Sequence, residues 1–146
     1  KLMRHLLYDS EVEKIPIQKE IEFIKHYVDL MKLRFSEKVN IKLDLPNQLP
    51  DKSIPPLLFT SYVENAFKHG ISYQKNSFIN ISFTSSEDNL TFKVRNSISG
   101  DEKEKEPSGI GIENSRKRLE LLYGDQFILK IEDKNDEHFV YLSIPI

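Results

Sequence analysis

Cysteine is missing from this 146-residue chain, which excludes disulfides and thiolate metal sites and fits a reducing, cytosolic setting. Long hydrophobic runs are missing too. None approaches the roughly 18 residues of a membrane span, and there is no signal-peptide pattern. A dominant charge sign is also lacking, and a net charge of -2 gives a nucleic-acid role no electrostatic support. What is there suits a folded soluble domain with one core: 38% hydrophobic and 30% charged residues. The chain opens at Lys1-Leu2-Met3-Arg4, already inside a helical pattern, and reads as a piece of a longer protein.

Leu2, Met3, Leu6 and Leu7 form a short amphipathic helical stretch ending near Asp9-Ser10. A second helix is expected from about Pro16, a residue suited to a first turn. Its stripe of Ile21, Ile24, Val28, Met31 and Phe35 recurs at 3, 4, 3 and 4. A dimer seam could use that stripe, and so could a helix packed on its own domain's sheet. Val39, Ile41, Leu43 and Leu45 alternate as in a strand with one buried face. Prolines 46, 50, 55 and 56 punctuate the loop that follows, and residues 57–69 turn helical again. Strands are expected over 78–84 and 90–94, joined as a hairpin at Ser86-Glu87-Asp88-Asn89. Residues 97–108 form a polar, charged loop. A helix is expected from about 112 to 123, stopped by Gly124. Strands over 127–131 and 139–144 close the chain. This order predicts an α+β fold, a two-layer α/β sandwich with helices on one face of a mixed, mostly antiparallel sheet.

Two segments carry chemistry. In Val63-Glu64-Asn65-Ala66-Phe67-Lys68-His69-Gly70, the residues Asn65, Lys68 and His69 lie at i, i+3 and i+4, on one helix face. An amide oxygen is a hard ligand for Mg²⁺, and an ammonium and an imidazole can meet phosphate oxygens. An ordinary solvated face holds the same residue types. In Ser108-Gly109-Ile110-Gly111-Ile112-Glu113-Asn114, glycines precede a helix. They allow close backbone approach, and the helix N-terminus offers free N–H groups to phosphate. An ordinary turn reads the same way. Arg116 and Arg118 add cationic heads in the first two turns, and each is also compatible with a solvated face.

Together these segments resemble the sensor histidine kinases of the LytS-like branch. Residues 63–70 resemble that branch's N box, and Gly109-Ile110-Gly111-Ile112-Glu113-Asn114-Ser115-Arg116-Lys117-Arg118-Leu119 its second glycine box and helix. The flanking Ile54-Pro55-Pro56-Leu57-Leu58 and Leu121-Leu122-Tyr123-Gly124, with Glu20-Ile21-Glu22-Phe23-Ile24 and Leu33-Arg34-Phe35, are similar as well. The resemblance covers nearly the whole chain. It implies a Bergerat (GHKL) ATP-binding fold over 11–146, after the end of a dimerisation helix over 1–10. It further implies ATP and Mg²⁺ as cofactors. Asn65 would hold the metal, Lys68 would contact phosphate, and His69 would lie near phosphate or ribose. Asn96, Gly109, Ile110, Gly111, Asn114 and Arg116 would complete the nucleotide site, with residues 97–108 as the ATP lid. The implied partners are the protein's own phosphotransfer domain, a response regulator and, in the full protein, a second copy. The implied setting is a cytoplasmic domain of a membrane-anchored parent.

The chain departs from the family pattern in three places. The family has an Asp-Xaa-Gly box whose aspartate accepts from the adenine amino group; here Asn96 takes that place and Ser97 follows. An asparagine oxygen can still accept, without charge. Four residues before Asn65 stands Ser61, so the glutamate base of related ATP hydrolases is missing. Glu64 projects about 100° away from Asn65 around the helix. Finally, the Pro-His-Phe-Leu-Phe-Asn motif that carries the phosphorylated histidine is absent. His5, His26 and His138 are not assigned to that role, and the latter two are read as packing or surface residues. The expected function is therefore transfer of the γ-phosphoryl group of ATP to a histidine outside this chain. A degenerate nucleotide-binding or interaction module is the alternative, and Ser61 argues against an ATP hydrolase.

Overall fold

The computed structural model describes residues 13–35, 39–71, 76–98 and 109–146, with only the backbone described at 109 and 110. The helical stretch expected over 1–10 and most of the loop expected over 97–108 lie outside the described residues.

A two-residue strand, β1 (Ile15–Pro16), leads into helix α1 (Ile17–Arg34). Pro16 is extended at φ -55 and ψ 139, and the helix starts directly behind it. Ile17, Ile21, Ile24 and Val28 are buried, and Met31 and Phe35 pack at the edge of the same core. The apolar stripe thus serves this domain's own core. Strand β2 (Val39–Asp44) alternates between half-buried and exposed residues, as its sequence predicts. Next come β3 (Ser53–Ile54), α2 (Thr60–His69), β4 (Ser77–Ser85) and β5 (Asn89–Ser97). Helix α3 (Gly109–Tyr123) and strands β6 (Ile128–Lys134) and β7 (Glu137–Pro145) follow.

The main sheet runs β2-β4-β5-β7-β6. Among the described residues β2–β4 is its only parallel pair. One face is apolar: Ile79, Ile81, Phe83, Leu90, Phe92, Val94, Val140, Leu142 and Ile144 are all buried. The other presents Lys93 over the Tyr141 ring and Arg95 over the Phe78 ring, with Arg95 also 3.5 Å from Glu137. Phe59, fully buried, joins the layers through ring contacts to Phe83 at 5.1 Å and Phe92 at 5.0 Å. The expected sandwich with a mixed, mostly antiparallel sheet is the fold observed.

Several boundaries differ from the sequence expectation, each for a local reason. Helix α2 begins at Thr60 because Leu57 has φ 62, a left-handed conformation that no α-helix accepts. Strand β5 runs to Ser97, since Asn96 and Ser97 still find partners on neighbouring strands. Helix α3 begins at Gly109, so both glycines of its motif are helical. The small β1–β3 ladder was not anticipated; it pairs Ile15 with Ile54 and Pro16 with Ser53. Between β6 and β7 the turn is Asn135-Asp136, with φ 55 and 61, the left-handed pair that a tight hairpin uses.

Glu20 of α1 is a carboxyl inside this core, only 1% exposed. Its oxygens accept the N–H groups of Leu57 at 3.0 Å and Leu58 at 3.2 Å. Phe59, which precedes α2, makes no side-chain cap, so Glu20 satisfies donors that the chain next to α2 leaves open. Burial pushes the Glu20 carboxyl above its ordinary 4.5, against the opposing pull of these N–H groups and of Arg118. A carboxyl raised in the folded state contributes fully below pH 4.5 and loses that contribution as pH rises through its folded pKa. Relative to a Glu20→Gln variant, the native chain should therefore lose stability as pH is taken from about 4 to about 7. Urea midpoints of both proteins across that range check the sign. A native chain that gains on the variant with rising pH would contradict it.

Candidate functional site

Helix α2 turns Tyr62, Val63, Ala66 and Phe67 into the core. Phe67 meets Tyr27 of α1 edge-on at 5.7 Å, so α2 is wedged between α1 and the sheet. The helical period then leaves Glu64 and Lys68 exposed and Asn65 and His69 half-buried along one border. The face predicted from spacing exists. Asn65 and His69 are held at its rim, and Lys68 is exposed. Glu64 acts on the opposite side, where its charge raises the pKa of the Tyr27 hydroxyl after the larger effect of burial.

The far end of α2 is seated on β5 with no spare room. The Gly70 N–H closes the helix on Ala66 O at 2.8 Å. A Cβ at Gly70 would come within 2.5 Å of Ala66 O and 2.8 Å of Asn96 Nδ2. Ser97 Oγ donates to Gly70 O at 2.8 Å and accepts the Phe78 N–H at 3.1 Å, so one hydroxyl stitches the helix end to β4 and β5. Asn96 is 1% exposed; its Nδ2 donates to Ser97 O at 2.8 Å. That bond fixes the amide orientation, because the carbonyl needs a donor opposite it. Asn96 Oδ1 is then a buried acceptor with no partner among the described residues. Buried polar atoms are normally paired, so such an atom calls for a donor.

Helix α3 is fastened to α2 by one polar contact, Ser115 Oγ to Tyr62 Oη at 3.0 Å. Burial pushes the Tyr62 phenol upward, and the Ser115 hydrogen bond and the Arg116 charge partly oppose it. Arg116 is thus near enough to act on α2. Among the described side chains of α3 only Leu119 is fully buried. Asn114 and Arg116 are exposed, and a Cβ at Gly111 would meet nothing within 4 Å. The structure therefore brings Asn96 against the end of α2 and ties the glycine-motif helix to the face beside Asn65. It shows no contact of Asn114 with the other predicted residues, and the Ile110 side chain lies outside the described residues.

Sequence reading missed Glu20, Tyr62, Ser115 and the partner of His138. His138 Nδ1 bonds the Asp133 carboxylate, so the residue read as packing or surface has a cross-strand partner. A signal for that pair was available: the two residues flank the Asn135-Asp136 turn in directly opposed positions.

Comparison with known proteins follows from this geometry. Solved catalytic domains of histidine kinases share the fold. That of histidine kinase ThkA superposes with a TM-score of 0.65 at 17% identity, covering 92% of this chain and 95% of that one. A second ThkA structure, in complex with the response regulator TrrA, matches 98% of this chain with a TM-score of 0.62 at 17% identity. The chain thus shares the fold of those catalytic domains. A family model described as "Histidine kinase" matches residues 1–39. Over nearly its whole length the chain is similar to LytS-like sensor histidine kinases. Sensor protein LytS of Oceanobacillus iheyensis is 24% identical over 160 aligned positions, which cover 99% of this chain and 27% of that protein. Sensor histidine kinase YpdA of Escherichia coli is 29% identical across 97% of this chain and 27% of its own length. The chain spans about a quarter of the curated relatives it matches.

The seating of α2 on β5 makes a direct prediction. Gly70→Ala should lower the thermal midpoint by several degrees, equivalent to about 1–3 kcal/mol of overpacking. Thermal melts followed by circular dichroism check this, and an unchanged midpoint would show that the helix end moves off Asn96 at no cost.

Proposed function

We propose that this domain binds ATP with Mg²⁺ and presents the γ-phosphoryl group to a histidine outside the chain. The observation that carries the reading is Asn96 Oδ1, a buried acceptor without a partner at the end of the N-box helix. It suits the amino group of adenine. The donor set fits the metal as well. Among the described residues no group of three or more His, Cys, Asp or Glu side chains could hold an ion. Mg²⁺ characteristically takes one or two protein oxygens together with substrate phosphates, so the Asn65 amide oxygen beside a triphosphate is a sufficient protein ligand.

The chain's own residues would bind and orient. Asn65 would hold the metal, and Lys68 and Arg116 would offset phosphate charge. His69 sits half-buried on the Asn65 side, where it can meet phosphate or ribose oxygens. The backbone N–H groups of Gly109, Ile110 and Gly111 open α3 and have no intrahelical acceptor, which suits phosphate oxygens. The open space above Gly111 leaves room for that approach. Asn114 would add a neutral donor one turn further on. Transfer breaks the bond between the γ-phosphorus and the bridging oxygen of ADP and forms a phosphorus–nitrogen bond to the acceptor imidazole. For phosphoryl transfer, positioning and charge neutralisation supply most of the catalysis.

The same reading places residues 1–10 at the tail of a dimerisation helix and 11–146 in the catalytic domain. Its partners are then the phosphotransfer domain of the same protein, a second copy of the full protein, and a response regulator such as the one seen with ThkA. The parent would be membrane-anchored with this domain on the cytoplasmic side; no helix among the described residues is long and apolar enough to cross a membrane.

Asn65→Ala should weaken ATP binding at least about tenfold in the presence of Mg²⁺, the loss expected for one charge-assisted ligand. Calorimetric titration of both proteins, with and without the metal, reads this. A variant that binds Mg·ATP as the native chain does removes Asn65 from the metal site. Phosphotransfer from labelled ATP to a separately supplied dimerisation domain tests the kinase reading. Saturable ATP binding without any transfer would instead favour a regulatory nucleotide-binding module.

A further inference from the structure

Four residues form one row across the helix-facing side of the sheet. Ile79 of β4 pairs with Asn96 of β5, Asn96 with His138 of β7, and His138 with Asp133 of β6. The next row inward, Ile81, Val94, Val140 and Ile131, is wholly apolar. Polar side chains therefore enter this face at one edge, beside the end of α2.

The row holds two buried polar atoms without partners among the described residues, Asn96 Oδ1 and His138 Nε2. Asn96 Oδ1 is an acceptor, and His138 Nε2 is one in the tautomer that keeps its proton on Nδ1 toward Asp133. The Asn96 amide is oriented by Ser97 O, which takes its Nδ2. The His138 ring is oriented by Asp133, whose carboxylate takes the proton on Nδ1. In that tautomer the lone pair is on Nε2. Directly opposed cross-strand side chains start about 4.5–5.5 Å apart at Cβ. The two N–H bonds of an aromatic amine diverge by about 120°, and at about 2.9 Å each they end on acceptors about 5 Å apart. Two acceptors at about that separation can share one amino group.

We propose that His138 is a specificity-determining residue: Asn96 Oδ1 and His138 Nε2 together receive the two N–H bonds of the 6-amino group of a purine. This rests on the nucleotide reading above and adds a second acceptor to it. A 6-oxo purine sets an oxygen against two acceptors and leaves both unpaired, so the pair selects amino over oxo purines. Asp133 is a positioning residue, since it acts through the imidazole.

The test is titration of the full chain with Mg·ATP and Mg·ITP. The native chain should prefer ATP, and His138→Phe, which fills the space without an acceptor, should narrow the ATP-to-ITP ratio at least about tenfold. His138→Gln, which returns an amide oxygen, should restore part of the ratio. A His138→Phe protein that melts normally and keeps the native ratio overturns the proposal while leaving the nucleotide reading intact. A native chain that binds neither nucleotide overturns both. If His138→Phe does not fold, Asp133→Ala at an exposed position carries the test, and an unchanged ratio there overturns the proposal equally.

Discussion

No methyl group fits between the end of α2 and the Asn96 side chain, and most of the candidate site depends on that closure. Gly70 brings the helix terminus onto β5, and Ser97 locks the contact through its hydroxyl. At the opposite end Glu20 takes the N–H groups of the preceding turn. Between these two anchors the inward face of α2 is fully packed. Asn65, Lys68 and His69 are consequently carried on a helix fixed at both ends and along its length. The metal and triphosphate site proposed here would gain from such support, because small displacements of ligating atoms cost binding and rate steeply.

The two anchors handle burial differently. Burial of the Glu20 carboxyl disfavours its charged form, and the backbone N–H donors and the Arg118 guanidinium oppose that. Asn96 is neutral and incurs no ionic desolvation. One half of its amide is committed to Ser97 O and the other half is left as an acceptor. Under the proposed function, the asparagine standing where the resemblance expects an aspartate keeps its oxygen free to accept from a base amino group. What it gives up is charge, not direction. Helix α3 is held by the buried Leu119, by Ile112, Leu122 and Tyr123 at the edge of the core, and by the Ser115–Tyr62 bond.

The sequence made the layers and the N-box face legible because both rest on local periodicity. The 3.6-residue spacing of Ile21, Ile24 and Val28 predicted a buried stripe, and the spacing of Asn65, Lys68 and His69 predicted a shared face. Alignment on Val94 picked out Asn96, but not that it lies inside a strand, since strand ends depend on partners from β4 and β7. The contacts that were not legible join residues far apart in the chain. Glu20 reaches Leu57 across 37 positions, and Ser115 reaches Tyr62 across 53. A glutamate on an amphipathic helix looks like a surface residue until the turn it caps is packed beside it. The left-handed Leu57 that delays α2 also has no local signal, because leucine does not favour that conformation.

In the proposed site α2 and β5 act together, with the metal end at Asn65 and the base end at Asn96. A crystal structure of the chain with Mg²⁺ and a non-hydrolysable ATP analogue tests it most directly. The account predicts the base amino group within about 3 Å of Asn96 Oδ1 and the metal on the Asn65 amide oxygen. A nucleotide seated elsewhere, or an Asn96 Oδ1 satisfied by the protein itself with the nucleotide bound, would contradict it.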